Sequence, residues 1–455
     1  MTVPHVASIE TENILPGVGA AFSSSLHPGS FLSEEIRKQV PAESCPLGRR
    51  EFLQSMALAA GTLFTAPTLR AEGSNSTSIP AAEKKWRVGV IGHSGQGNYG
   101  HGLDTCWLRI PETEVLAFAD ANAAGLAKEQ VKLPGAKAFA DYRKMLAEVQ
   151  PEIVAVGPRW LNEHRDMILA AIDSGARGIY CEKPFCRTPA EADEILAACQ
   201  KSGCRVALAH RNRYHPALAT VQALIQQGTI GELLELRGRG KEDQRGGCLD
   251  LWVLGSHVFD LARYFAGDAL TCSASIQQGK RAAAPHDLQQ GAEGVGLIAG
   301  DRLHARFEMA HGLPFYFDSI RNAGVAKAGF GLQLIGNAGI IDLRVDEEPI
   351  AHLLQGNPFD PDSVPRNWVP ITTAGIAQPE PITGLGGQVA SHQLAGQDLL
   401  NSIRENRPAL CSEHDGLAIV EMIHSIFQSH VQQAATISLP LENRDHIFEA
   451  WKTLS

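Results

Sequence analysis

From Trp86 onward the chain alternates short apolar runs with helical stretches, and the first run, Arg87-Val88-Gly89-Val90-Ile91, ends in Gly92-His93-Ser94-Gly95-Gln96-Gly97-Asn98-Tyr99-Gly100. Such runs are strands buried on both faces, and strands alternating with helices build a parallel sheet. Further strands are expected over 114–119, 153–156, 178–181 and 204–209, with helices over 162–174 and 189–201. Thr188-Pro189-Ala190-Glu191 opens the last helix with a cap residue, a first-position proline and a glutamate at capping spacing. The fold class is therefore α/β, with a doubly wound Rossmann domain over 86–209.

Counted from the strand end, the turn reads Gly92-x-Ser94-x-x-Gly97, while Gly95-x-Gly97-x-x-Gly100 matches the full glycine spacing three residues later. Either register offers a tight turn, close backbone approach to a pyrophosphate and a helix N-terminus that attracts an anion. Gly92, Ser94, Gly95, Gln96 and Gly97 are the expected cofactor contacts. The next strand ends at Asp120. An acid there accepts the adenosine ribose hydroxyls and repels a 2′-phosphate, which favours NAD over NADP.

The strand over 178–181 ends in Glu182-Lys183-Pro184, and ligands of open α/β sheets bind at the carboxyl ends of strands. This turn, with Asn212-Arg213-Tyr214-His215-Pro216, Gly228-Thr229-Ile230-Gly231-Glu232 and Gly255-Ser256-His257-Val258-Phe259-Asp260, resembles the Gfo/Idh/MocA oxidoreductases, the glucose-fructose oxidoreductase and inositol dehydrogenase group. The resemblance runs from Trp86 to the C-terminus. It implies that Glu182 and Lys183 contact the cofactor, that Lys183 also meets the substrate hydroxyl, and that the Lys-Pro bond is cis. Oxidising an alcohol needs a base for the hydroxyl proton while hydride leaves the same carbon. His257 suits that role, and Lys183 suits stabilisation of the alkoxide. The sequence departs from the family where an Asp is expected four residues before the histidine: Val253 stands there. Asp250, seven residues before His257, is the third catalytic candidate, and on one continuous helix the two share a face about 10 Å apart. Arg213, Tyr214, Lys241 and Trp252 are candidates for holding substrate hydroxyls. Arg213 and Tyr214 read equally as an interdomain hinge, and Trp252 as core. Asp260 reads as structural.

After residue 210 the order is helix, strand, helix, then strand-like runs over 269–276, 302–310, 315–321, 331–335 and 339–344. That pattern makes 210–455 an α+β substrate domain with a largely antiparallel open sheet. Helices over 391–405 and 415–430 are expected to pack back onto it. The resemblance implies that this sheet joins subunits of a homo-oligomer, a dimer or tetramer.

A chain of 455 residues has room for two domains, and its net charge of −10 with no basic cluster excludes a nucleic-acid-binding surface. Nine scattered cysteines, none spaced Cys-x-x-Cys, read as buried apolar groups and give no metal site. Residues 1–47 carry no periodicity and read as a flexible leader, 48–72 as a signal and 73–85 as a linker. Arg49-Arg50-Glu51-Phe52-Leu53, followed by an apolar run too short to cross a bilayer, resembles a twin-arginine export signal, with Gly48 and Gln54 as departures. Export implies a periplasmic protein with no membrane span when mature. Read as a basic pair before an amphipathic helix, the segment leaves the protein in the cytoplasm. In the periplasm no soluble NAD pool exists, so the cofactor must stay bound. Three functions follow: a sugar, amino-sugar or cyclic-polyol oxidoreductase with tightly bound NAD; a redox-assisted glycosidase or lyase that recycles its NAD; and a non-catalytic nucleotide-binding protein.

Overall fold

The computed structural model describes residues 84–325, 329–360 and 366–453. The leader over 1–47, the twin-arginine segment over 48–72, the linker up to residue 83 and Cys45 lie outside the described residues. Six strands, β1 (Trp86–Ile91), β2 (Thr113–Ala119), β3 (Lys137–Phe139), β4 (Ile153–Val156), β5 (Gly178–Cys181) and β6 (Arg205–Leu208), form an all-parallel sheet in the order β3-β2-β1-β4-β5-β6. The order reverses between β1 and β4, which sets the ligand crevice above their carboxyl ends. Every residue of β4 and β5 is buried, as their unbroken apolar sequences require. β3 was not legible, being three residues long and opening on an exposed lysine.

Helix Pro189–Ser202 begins as expected, with the Thr188 hydroxyl accepting the Glu191 N–H at 3.2 Å. The Glu191 carboxylate reaches one residue further back, to the Arg187 N–H at 2.8 Å and its guanidinium at 2.5 Å.

Beyond residue 210 lies a mixed sheet. It runs from Gly375–Ile376 through Val369–Thr372, Ala351–Gln355, Gly339–Arg344, Gly331–Gly336, Leu233–Arg239, Pro314–Ile320, Arg302–Met309 and Ala269–Gln278 to Ile437–Ser438. All neighbours are antiparallel except Leu233–Arg239 with Pro314–Ile320. Helix Ser256–Ala266 covers one face, where Phe259 meets Phe307, Phe315 and Phe317 with ring centroids 4.8–5.8 Å apart. Edge-to-face clusters of this kind add to burial, each pair by roughly 0.5–1.5 kcal/mol.

The two closing helices tie the halves together. Glu413–Val431 lies between strand Ala269–Gln278 and helix Pro189–Ser202. Gln393–Glu405 packs on β5 and β6 rather than on the mixed sheet. Gly178 opens β5 because a Cβ there would stand 2.7 Å from Ile403 of that helix. All eight described cysteines are buried and unpaired, and no described helix is long and apolar enough to cross a membrane.

Candidate active site

The glycine turn departs from expectation. No α-helix follows β1; turns run to Thr105, then a 3-10 turn spans Cys106–Arg109. The cause is local. His93 and Asn98 close a tight antiparallel bridge, with N–H to O distances of 2.9 and 3.0 Å. Gly95, Gly97, Gly100 and Gly102 all have positive φ, a conformation that cannot propagate a helix. The helix N-terminus expected to meet a pyrophosphate is therefore not built.

What is built is a cleft of about 560 Å³ above β1 and β2, bounded by Gly92, His93, Asp120, Tyr142, Arg143 and Asn162. Asp120 forms its floor, accepting the Ser94 hydroxyl at 2.7 Å and the Asn122 N–H at 2.8 Å. Glycine is obligatory at position 92, where a Cβ would fall 2.1 Å from the Tyr99 ring. A concave site with a glycine edge and a carboxylate at the β2 terminus fits the adenosine half of a dinucleotide. Asp120, Asp141, Glu163 and Asp166 all line it against the single guanidinium of Arg143, a balance that repels a 2′-phosphate.

At the end of β5 the Lys183-Pro184 bond is cis. Glu182 is fully buried and accepts from the Lys183 N–H at 2.8 Å, the His101 N–H at 2.9 Å and His101 Nδ1 at 2.6 Å. Burial raises this carboxyl most strongly, but the His101 hydrogen bond together with the nearby His101, Lys183 and His392 charges outweighs it and brings the value down to about 2. With no exposed oxygen, Glu182 anchors the glycine turn to the lysine turn rather than meeting a cofactor directly. Lys183 is 7% exposed, and burial lowers its ammonium below the ordinary value despite the opposing Glu182 charge.

Lys183 Nζ donates to the Val253 carbonyl at 2.8 Å. That carbonyl belongs to a π-helical turn, Leu251–Gly255, inserted between Cys248–Asp250 and helix Ser256–Ala266. A π turn holds an extra residue, so the continuous-helix relation between Asp250 and His257 does not apply. His257, 6% exposed, turns its Nδ1 to Nδ1 of His210 at 3.4 Å, with the rings edge to face. Burial first, then the Lys183 charge, pushes His257 well below the ordinary histidine value.

Asp250 is fully enclosed. It accepts from the Ser319 hydroxyl at 2.6 Å and from the Lys241 and Glu242 N–H groups at 3.3 and 3.1 Å, and so clamps the turn after strand Leu233–Arg239. Lys241 is half-buried on that same turn. Trp252 has no exposed surface and packs against His424 and Phe427, so no sugar face can stack on it. The Arg213 guanidinium is held by Asp260 at 2.8 Å and Asp415 at 3.2 Å. The Tyr214 hydroxyl is spent on the Leu208 carbonyl at 3.0 Å. Asp250, Trp252, Arg213 and Tyr214 thus serve packing, not a ligand.

Sequence reasoning missed other residues. His101, His210 and His392 gather with Lys183, Glu182 and His257, each acting electrostatically on others of the group. Tyr180, on β5, shares a hydrogen bond between its hydroxyl and His392 Nδ1 at 2.6 Å, while His392 Nε2 is buried with no partner. Arg211 pairs with Asp346 at 2.8 Å beside this cluster. A histidine next to the Asn212-Arg213 motif was the one available signal. No group of three or more potential metal ligands occurs among the described residues.

Residues 86–210 match the family model described as Gfo/Idh/MocA oxidoreductase family, NAD-binding Rossmann fold. D-apiose dehydrogenase of Paraburkholderia graminis is 26% identical over 192 residues, 40% of this chain and 51% of its own length. Levoglucosan dehydrogenase of Pseudarthrobacter phenanthrenivorans is 24% identical over 362 residues, 71% of this chain and 89% of its own. The match therefore spans about half of the first relative and most of the second. A solved levoglucosan dehydrogenase in complex with NADH and levoglucosan superposes with a TM-score of 0.61 at 20% identity, covering 78% of this chain and 100% of that one, which shows a shared fold. Residues 86–210 are thus similar to an NAD-binding Rossmann domain, and the cofactor that this match indicates is NAD.

Proposed function

We propose that this Gfo/Idh/MocA-type oxidoreductase acts on a hydroxyl-bearing carbon of a sugar, amino sugar or cyclic polyol, with Lys183 and His257 as its catalytic pair. The carrying observation is the convergence of a buried ammonium and a buried imidazole beside the crevice of an NAD-binding sheet. NAD, when bound, supplies the hydride acceptor or donor. Gly92, the turn over 93–97 and Asp120 would hold it. Lys183, fixed at one N–H by the Val253 carbonyl, keeps its other N–H groups for a substrate oxygen and stabilises negative charge there. His257 takes the hydroxyl proton on Nε2, since its Nδ1 faces His210. Burial keeps His257 neutral at neutral pH, which is the form a base requires. The sugar and polyol dehydrogenases among the relatives support the substrate class.

Retention of NAD and periplasmic export rest on the Arg49-Arg50 leader. Homo-oligomerisation rests on the uncovered face of the mixed sheet, where Arg302, His304 and Arg306 point outward. A second reading, elimination or hydrolysis with NAD regenerated in each cycle, draws on the imidazoles His101, His210 and His392, more than simple oxidation needs.

The test is to denature the purified protein, identify any released dinucleotide, and supply sugars, polyols and glycosides with and without added NAD. Nicotinamide absorbance that grows only with added NAD supports dehydrogenation; product without it supports the recycling reading. Lys183→Met is expected to abolish turnover while NAD stays bound, and full activity in that variant would refute the site.

A further inference from the structure

The carboxylate that would orient His257 is absent. Position 253 is valine, and Asp250 is saturated by Ser319 and the turn over 241–242. A general-base histidine still needs one ring nitrogen held, because an imidazole free to exchange tautomers presents the wrong nitrogen part of the time. The group at Nδ1 of His257 is a second imidazole, His210, delivered from the end of β6 and itself 1% exposed. We propose that His210 replaces the missing carboxylate as the positioning partner of His257, accepting its Nδ1–H so that Nε2 is left free to take the substrate proton. This rests on the reading of His257 as the base.

The tautomers follow from counting protons. Two neutral rings facing each other through Nδ1 can place only one hydrogen between them. If His257 supplies it, His257 carries its lone pair on Nε2 and His210 carries its own hydrogen on Nε2. When the substrate O–H bond breaks and the His257 Nε2–H bond forms, the hydrogen between the rings can pass to His210. His257 is then neutral again and the single positive charge lies on His210.

The surroundings favour that placement. The groups facing His257 are Lys183, His210, Arg211 and His101, with no carboxylate among its leading influences. On His210, by contrast, the carboxylates of Asp260 and Glu182 act to favour the charged form, against burial and the Lys183 and Arg213 charges. A neutral partner also differs in kind from a carboxylate. A carboxylate would stabilise imidazolium on His257 and raise its titration by about 1–3 units, whereas His210 leaves the base easily discharged.

The test combines nitrogen NMR of the NAD-loaded protein, labelled on histidine, with pH–rate profiles of wild type, His210→Phe and His210→Asp. In the wild type, His257 is expected to show a protonated Nδ1 and a free Nε2. His210→Asp is expected to raise the His257 titration, and with it the acid limb of kcat/KM, by at least about one pH unit. His210→Phe is expected to mix the His257 tautomers and lower kcat by roughly 10-fold or more, part of the about 10²–10⁴-fold that a positioned base supplies. Unchanged NAD affinity and cooperative melting confirm that each variant is folded. The proposal is overturned if the His257 tautomer and titration are the same in all three proteins. If the wild type turns over no sugar or polyol, the reaction assignment fails by itself, and the NMR comparison still decides the pairing.

Discussion

Replacing Asp260 by asparagine tests the packing role of Arg213. Asp260 is 1% exposed, accepts from Arg213 Nε at 3.0 Å and the Cys411 thiol at 3.4 Å, and is ion-paired with Arg213 Nη2 at 2.8 Å. Without its charge, Arg213 keeps only Asp415, which already receives Arg263 at 2.6 Å. Breaking one partner of a buried pair costs about 3–5 kcal/mol, because the remaining charge stays buried. The described residues of the compact unit lie between 84 and 453. At about 2.1 cal/mol/K per residue its unfolding entropy is of order 0.8 kcal/mol/K, so the expected drop in Tm is about 4–6 °C. The double variant Asp260→Leu/Arg213→Met, which removes both charges, is expected to regain much of that loss. Scanning calorimetry gives Tm, and steady-state kinetics on the same samples give KM. A normal Tm with a KM raised tenfold or more would refute the packing assignment and return Arg213 to the substrate.

Acid is expected to destabilise the protein early. Burial lowers His210, His392 and His424 to about 4 and His446 to about 3, against about 6.5 when unfolded. The unfolded chain therefore binds protons first. Stability contributed above pH 6.5 is lost as pH falls through 6.5 towards 4, by up to roughly 3 kcal/mol for each histidine. Denaturant midpoints that stay level between pH 7.5 and 5 would contradict this. Gly97→Ala should weaken NAD binding and the fold together, since φ is +87° and a Cβ would lie 2.2 Å from the Arg159 backbone nitrogen; calorimetric titration with NAD reads the first effect. Trp252→Phe should leave KM unchanged while lowering Tm, because the ring meets only core; a changed KM would place the indole at the substrate.

The strands were legible because β4 and β5 are short and wholly apolar, and Lys183 because it follows directly from a strand's carboxyl end. The glycine turn misled. Its spacing is that of a helix-capping fingerprint, yet whether such glycines start a helix depends on φ values that only the bridge between His93 and Asn98 sets. Asp250 misled for a related reason, since heptad spacing assumes an uninterrupted helix and the π turn over 251–255 supplies no local warning. His210 and His392 stayed hidden because their partners, His257 and Tyr180, are 47 and 212 residues away. Long-range pairing of single side chains leaves no periodic trace.

The anchoring of Lys183 through a main-chain carbonyl bears on how this site tolerates change. Every residue type carries that oxygen, so the anchor itself does not depend on the side chain at position 253; Val253 is 2% exposed, and substitutions there are felt through core packing instead. The vulnerable property is length. Removing one residue from 251–255 would restore ordinary helical winding, swing the carbonyl away from Nζ and rotate His257 by about 100° relative to the strand ends. A deletion here, which no single substitution mimics, would move Lys183's anchor and His257 of the candidate site together.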